Sequence, residues 1–209
     1  MGQKKYARGL TVACHESELE KPLRWQKPRY VFVCSMSDLF HEDVPDPFLQ
    51  KVFRTMDLGG PLGHTFFVLT KRAKRMAAFR YEETSDGRWP HNVWAGITAE
   101  NQETYDDRVR SLVKTPAVIR WASLEPLLGP ISLRATGRLH PSWVVVGGET
   151  GPGARPMDLD WARALRDECA ESGIPFFFKQ LGGRTKKGGR LLDGKIWNER
   201  PGVLGSGHG

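Results

Sequence analysis

The stretch Trp143-Val-Val-Val-Gly-Gly-Glu-Thr-Gly-Pro-Gly-Ala-Arg155 decides how the chain is read. Four bulky residues, three of them β-branched, run directly into Gly147-Gly148 and then into a lone carboxylate, Glu149. A continuous apolar run bounded by glycines fits a strand covered on both faces, as in a parallel sheet. The glycines permit a sharp exit and leave room for a ligand to approach the backbone, because neither carries a Cβ. An acid at that point stands at the carboxyl end of a buried strand, where α/β folds keep their sites.

Working outward, the same design recurs. Tyr30–Ser35 ends in the cluster Ser35, Ser37 and Asp38, and Thr65–Thr70 runs into Lys71-Arg72. Val93–Thr98 ends at Glu100-Asn101-Gln102, Ala117–Ser123 at Glu125, and Ile174–Lys179 at Lys179-Gln180. Helical patterns separate these runs. Val44-Pro-Asp-Pro47 opens a helix with Phe48, Leu49, Val52, Phe53 and Met56 on one face, and Gly59-Gly60-Pro61 stops it. A basic helix follows Arg72 to about Arg80, and another runs from Gln102 to about Lys114. A last one covers Leu159–Ser172 with Asp158 as N-cap. Strands alternating with helices predict a parallel sheet with right-handed crossovers. Six units are two short of an eight-fold barrel. The expected fold is therefore α/β, a partial (β/α)6 parallel barrel of TIM-barrel type, with an open doubly wound sheet as the alternative. Residues 1–29 read as an irregular lead-in with one helical turn near Ser17–Lys21, and 30–181 as the barrel. Residues 182–209 read as a basic, Gly-rich tail with a short Leu191–Trp197 segment and a disordered Gly205–Gly209 end.

Hydrophobic content of 39% and charged content of 26% over 209 residues suit one soluble domain with a sizeable core. No run of about 18 apolar residues is present, so no membrane span is expected. The basic start lacks the apolar centre of a signal peptide, and a cytoplasmic location is the expectation. A net charge of +7 suits a polyanionic partner or substrate. Cys14, Cys34 and Cys169 are widely spaced and odd in number, which fits reduced thiols rather than a disulfide framework or metal knuckle.

In a parallel barrel every strand end converges on one mouth. Asp38, Glu100, Glu125 and Glu149 bring acids from four strands, and Lys71, Arg72 and Lys179 bring bases from two others. Acids and bases in one cavity hold a zwitterion or anion through paired hydrogen bonds, and they tune one another for proton transfer. Glu149, Lys179 and Glu125 are the candidate catalytic residues. Single members also have structural uses: Asp38 suits a turn cap and Glu100 the dipole of the helix after it. His41 and His64 follow no metal-ligand spacing, so no metal site is expected. There is no GxSxG elbow, no Walker loop and no GxGxxG after a strand. A different reading is a non-catalytic nucleic-acid-binding module. It would use Lys71, Arg72, Lys74 and Arg75, with Arg184, Lys186, Lys187 and Arg190, although such runs also suit a solvated face. A third is a cluster-independent hydrolase or transferase that uses Glu149 with Lys179.

Several stretches carry a family resemblance. They are Pro22-Leu-Arg-Trp25, Phe32-Val-Cys-Ser-Met-Ser-Asp-Leu-Phe-His-Glu-Asp-Val-Pro45, Val68-Leu-Thr-Lys-Arg72, Gly96-Ile-Thr-Ala-Glu-Asn101 and Ser123-Leu-Glu-Pro-Leu-Leu-Gly129. Val146–Pro156, Phe176-Phe-Phe-Lys-Gln180 and Leu192–Glu199 complete the set. Through them the chain resembles an uncharacterised phage and bacterial protein family related to radical S-adenosylmethionine enzymes of the spore photoproduct lyase type. The resemblance implies that S-adenosylmethionine binds at the mouth. Ser35, Ser37 and Asp38 would lie near its methionine part, with Lys71, Glu100, Asn101, Gly147 and Gly148 around the rest, beside Glu125 and Glu149. It also implies a nucleic acid or modified nucleotide as substrate. Family members open with a strand and a three-cysteine loop, whose thiolates hold a [4Fe–4S] cluster. Met1 falls after that segment. The chain as given is expected to lack the first βα unit, to leave a sheet edge unpaired except where Lys4–Trp25 covers it, and not to hold the cluster or start radical chemistry.

Overall fold

The six apolar runs pair into one all-parallel sheet in the order in which they occur along the chain. The strands are β1 (Tyr30–Val33), β2 (Thr65–Thr70), β3 (Val93–Thr98), β4 (Arg120–Leu124), β5 (Trp143–Gly147) and β6 (Phe176–Gln180). The computed structural model describes residues 12–137, 140–184 and 189–202. The reading of Gly205–Gly209, and the charges of Lys186 and Lys187, lie outside them.

Helices α1 (Asp46–Gly59), α2 (Ala73–Ala78), α3 (Gln102–Leu112) and α4 (Leu159–Ser172) fill the crossovers. Their apolar faces, such as Leu49, Phe53, Met76, Val109 and Leu165, join one core with Phe66, Val68, Ile97, Leu124, Val146 and Phe178 of the strands. The opposite sheet face carries a separate cluster of Trp94, Trp121, Trp143 and Val145. Helices on one face and a strand order that never reverses rule out the doubly wound alternative, which needs both a reversal and helices on both faces. What remains is a singly wound sheet.

That sheet is curled. Phe32 of β1 meets Trp121 of β4 at 6.2 Å between ring centroids, and Phe67 of β2 meets Trp143 of β5 at 6.0 Å. Strands three places apart in a flat sheet stand about 14 Å apart. The aromatic rings therefore plug the lumen of a half-barrel. Gly96 makes the plug possible, because a Cβ there would overlap the Trp121 indole.

Several boundaries differ from the sequence-based expectation. β1 stops at Val33 because Cys34 takes φ 54° and the chain turns, with Ser37 N donating to Cys34 O at 3.0 Å. β4 starts at Arg120 because the register with β3 begins there, opposite Ala95. α2 ends at Ala78, since Phe79 turns to extended backbone and places its ring 4.5 Å from Phe53. Among its described residues the lead-in has two short 3-10 turns, Glu16–Glu18 and Lys21–Arg24, where one was expected.

The two sheet edges differ. Along β6, Phe178 N donates to Trp197 O at 2.9 Å, and Glu199 N to Phe176 O at 3.2 Å. The chain after the small hairpin of β7 (Leu191–Leu192) and β8 (Lys195–Ile196) thus covers that edge and passes beneath the lumen. There Glu199 O accepts from Trp143 Nε1 at 2.9 Å. β1 pairs only with β2 among the described residues. Residues 12–25 make no backbone hydrogen bond to it, and residues 4–11 of the expected cover lie outside the described residues. Instead Pro22 O lies 3.0 Å from His64 Nε2, and Glu16 pairs with Lys51 of α1.

Candidate functional site

The loop after β4 is the keystone of the mouth. Leu127 N donates to Gly147 O at 2.9 Å and Leu128 N to Glu100 O at 2.8 Å, tying the ends of β3 and β5 together. This pins Glu125 inward. Its Oε2 accepts from Lys179 Nζ at 2.9 Å and its Oε1 from Gln180 Nε2 at 3.0 Å. These three residues, with Thr150, Gly189 and Arg190, line a cavity of about 490 Å³.

Glu100 anchors a second group. Lys71 Nζ donates to its Oε1 at 2.8 Å, and Arg108 Nη1 to its Oε2 at 3.3 Å while also holding Thr98 O at 2.8 Å. Burial works against ionisation of Glu100, but the Lys71 and Arg108 contacts outweigh it and hold the carboxyl below its ordinary range. Arg155 connects this group to Glu149, since it feels the charge of Glu100 as well as its own partner.

Glu149 itself is clamped. Arg155 gives it three hydrogen bonds of 2.8 Å each, from Nε, Nη2 and its backbone N. These bonds, side chain first, lower its pKa to about 2. A carboxylate so stabilised is a poor proton acceptor at neutral pH. Glu149 and Lys179 take different partners: Lys179 goes to Glu125 and Glu149 to Arg155. The effect is measurable. A 13C-detected titration of the parent protein is expected to place the Glu149 carboxyl midpoint near 2, with Arg155→Gln returning it toward 4.5. Because the folded pKa is depressed, the clamp's contribution to stability is complete above about 4.5 and fades as pH falls through about 2. A parent midpoint near 4.5 would contradict the clamp.

The other expected residues divide by role. Asp38 is a structural pin: its oxygens accept from Phe40 N (2.9 Å), Thr70 Oγ1 (2.7 Å), Lys71 N (3.3 Å) and Arg72 Nη1 (3.0 Å). Asn101 is the N-cap of α3, accepting from Thr104 N at 3.0 Å in a capping box. Ser35 and Ser37 are exposed in the turn after β1. Gly147 leaves room for the Glu125 carboxyl, which would lie 3.3 Å from a Cβ there. Gly148 admits the chain's own backbone, since a Cβ would overlap the Leu181 carbonyl oxygen.

The basic stretch before and within α2 is neutralised where it stands. Lys71 pairs with Glu100, Arg72 with Asp38 and Glu42, Lys74 with Asp107 and Arg75 with Asp46. Each of these cations therefore has an acidic partner, as on a solvated face. Residues that sequence reasoning missed are Arg108, Arg155, Arg200 and the three lumen tryptophans. One signal was available for the last group: Trp94, Trp121 and Trp143 each lie at or near the start of a strand.

Cys169 is fully buried on the inner face of α4, whereas Cys14 and Cys34 are exposed. No group of metal-ligating side chains occurs among the described residues. Among the same residues no helix is long and apolar enough to cross a membrane.

Fold and site together define a parallel α/β half-barrel whose polar side chains gather at the carboxyl ends of the strands, as in ligand-binding and catalytic barrels. The model of the family described as "Protein of unknown function (DUF5131)" matches residues 1–201, and the chain belongs to that family. No curated protein and no solved structure matches it.

Proposed function

We propose that the mouth of the half-barrel binds a nucleoside carrying an amino-acid group, with S-adenosylmethionine as the first candidate. The observation that carries the reading is a pair of similar ion pairs at the mouth. In Lys71–Glu100 and Lys179–Glu125 the lysine side chains are 61% and 52% exposed, while the glutamates are 16% and 19% exposed. A zwitterion can split such a pair, its carboxylate taking the mobile lysine and its ammonium the fixed glutamate. The choice of ligand follows the resemblance read from the sequence, in which the order of the strand-end motifs looks like that of a radical S-adenosylmethionine enzyme.

A thermal melt with S-adenosylmethionine tests it. At a hundred times Kd the ligand adds about 2.7 kcal/mol, which is roughly 5–10 °C for a domain of this size. Lys71→Met and Lys179→Met are each expected to remove most of the shift. An unchanged melting temperature in the parent at millimolar ligand would refute the reading. A second reading, a cluster-independent hydrolase or transferase, is favoured by the Lys179–Glu125 contact of 2.9 Å, and it uses those two residues rather than Glu149.

A further inference from the structure

The side of the half-barrel between β1 and β6 has an unusual lining. Tyr30 and Phe32 on β1 are 57% and 45% exposed. Their rings face the lumen, where Tyr30 stacks on Phe67 at 5.8 Å and Phe32 stands at 84° to Trp121. Among the described residues no ring stacks on Phe32, and nearly half of its surface is exposed.

The cations on this side also differ from those of the Lys71–Arg75 stretch. Arg200 lies 5.0 Å from the Tyr30 ring centroid and 5.9 Å from that of Phe177, so one guanidinium spans from β1 to β6. Arg190 lies 5.2 Å over Phe177 and reaches the cavity at the mouth. Neither arginine is in an ion pair among the described residues, whereas the cations of the Lys71–Arg75 stretch all are. An arginine laid on an aromatic ring without an acid partner keeps its outward N–H groups for an anion. Open rings beside unpaired arginines are the elements of grooves that hold single strands by stacking and phosphate contact. The net charge of +7 acts in the same direction.

We propose that this open side is a binding track for single-stranded nucleic acid, in which a base stacks on Phe32 and phosphates meet Arg190 and Arg200. The track uses none of the lysine–glutamate pairs assigned above to the nucleoside; Arg190 borders the cavity that holds Lys179 and Glu125, and the Lys71→Met arm below tells the two readings apart. A single strand fits because one guanidinium bridges the two edges, a gap that a duplex cannot enter.

Fluorescence anisotropy with a labelled single-stranded 15-mer of mixed sequence tests the proposal on the full chain. The affinity is expected to fall about sevenfold between 50 and 200 mM salt, the value for two phosphate contacts on a single strand. Phe32→Ala is expected to weaken binding about tenfold through lost stacking. Arg190→Gln is expected to weaken it and flatten the salt dependence. Both residues are exposed, and an unchanged melting temperature shows that either variant is folded. Lys71→Met, which disrupts the nucleoside reading, leaves oligonucleotide affinity unchanged. The proposal is overturned by absence of binding at 50 mM salt, by parent-like affinity in both Phe32→Ala and Arg190→Gln, or by equal affinity for duplex or for a mononucleotide.

Discussion

Replacing Trp121 by alanine is expected to destabilise the protein by about 3–5 kcal/mol, the range for removing a buried aromatic side chain. Trp121 is 3% exposed and touches Phe32, Phe67 and Trp143, so it joins β1, β2 and β5 through the lumen. Its indole also occupies the space that Gly96 leaves open. Gly96→Ala is therefore expected to cost about 1–3 kcal/mol in the parent, by overpacking. In the Trp121→Ala background the added methyl meets an empty space, and its cost should largely vanish. Urea denaturation of the four proteins gives the coupling, expected between about 0.5 and 3 kcal/mol. Additive losses would mean that Gly96 and Trp121 do not meet, and that the sheet is flatter than described.

Gly148→Ala is the second substitution with a large expected effect. A methyl there must displace the Leu181–Gly182 backbone, which cannot move aside as a flexible side chain does. A loss of about 1–3 kcal/mol follows from overpacking. The change also reaches the site. Gly148 O accepts from Gln180 Nε2 at 3.2 Å, and the same nitrogen donates to Glu125 at 3.0 Å. Ligand affinity at the mouth should fall together with stability. Gly129→Ala is the control on the same rim, since its added Cβ makes only an ordinary contact with Asn101 at 3.9 Å. It is expected to stay within about 0.5 kcal/mol of the parent. Equal stability of the two variants would show that the loop after β6 does not press on β5.

These two cases mark where sequence reasoning stopped. Gly147 and Gly148 were legible as places of close backbone approach, and the protein groups that approach there are Glu125 and Leu181. Asn101 was legible as the opening of a helix, and that is the work its side chain does in the capping box. Glu149 was legible as an acid at a strand end. Its partner is six residues away in a loop, and nothing in local spacing distinguishes Arg155 from a solvated arginine.

The sequence by itself determined the parallel α/β class, the β2, β3 and β5 spans, and the gathering of polar residues at one end. Those features are local: β-branched runs, 3.6-residue periodicity and glycine stops are written in neighbouring residues. Only the tertiary structure decided which cation each carboxylate keeps, because Lys179 and Glu125 meet across 54 residues. It alone also decided the curl and the aromatic plug, and the course of Trp197–Arg200 along β6 and beneath the lumen. Closure of a sheet depends on which rings fit against one another across several strands, and that packing is a property of the whole fold.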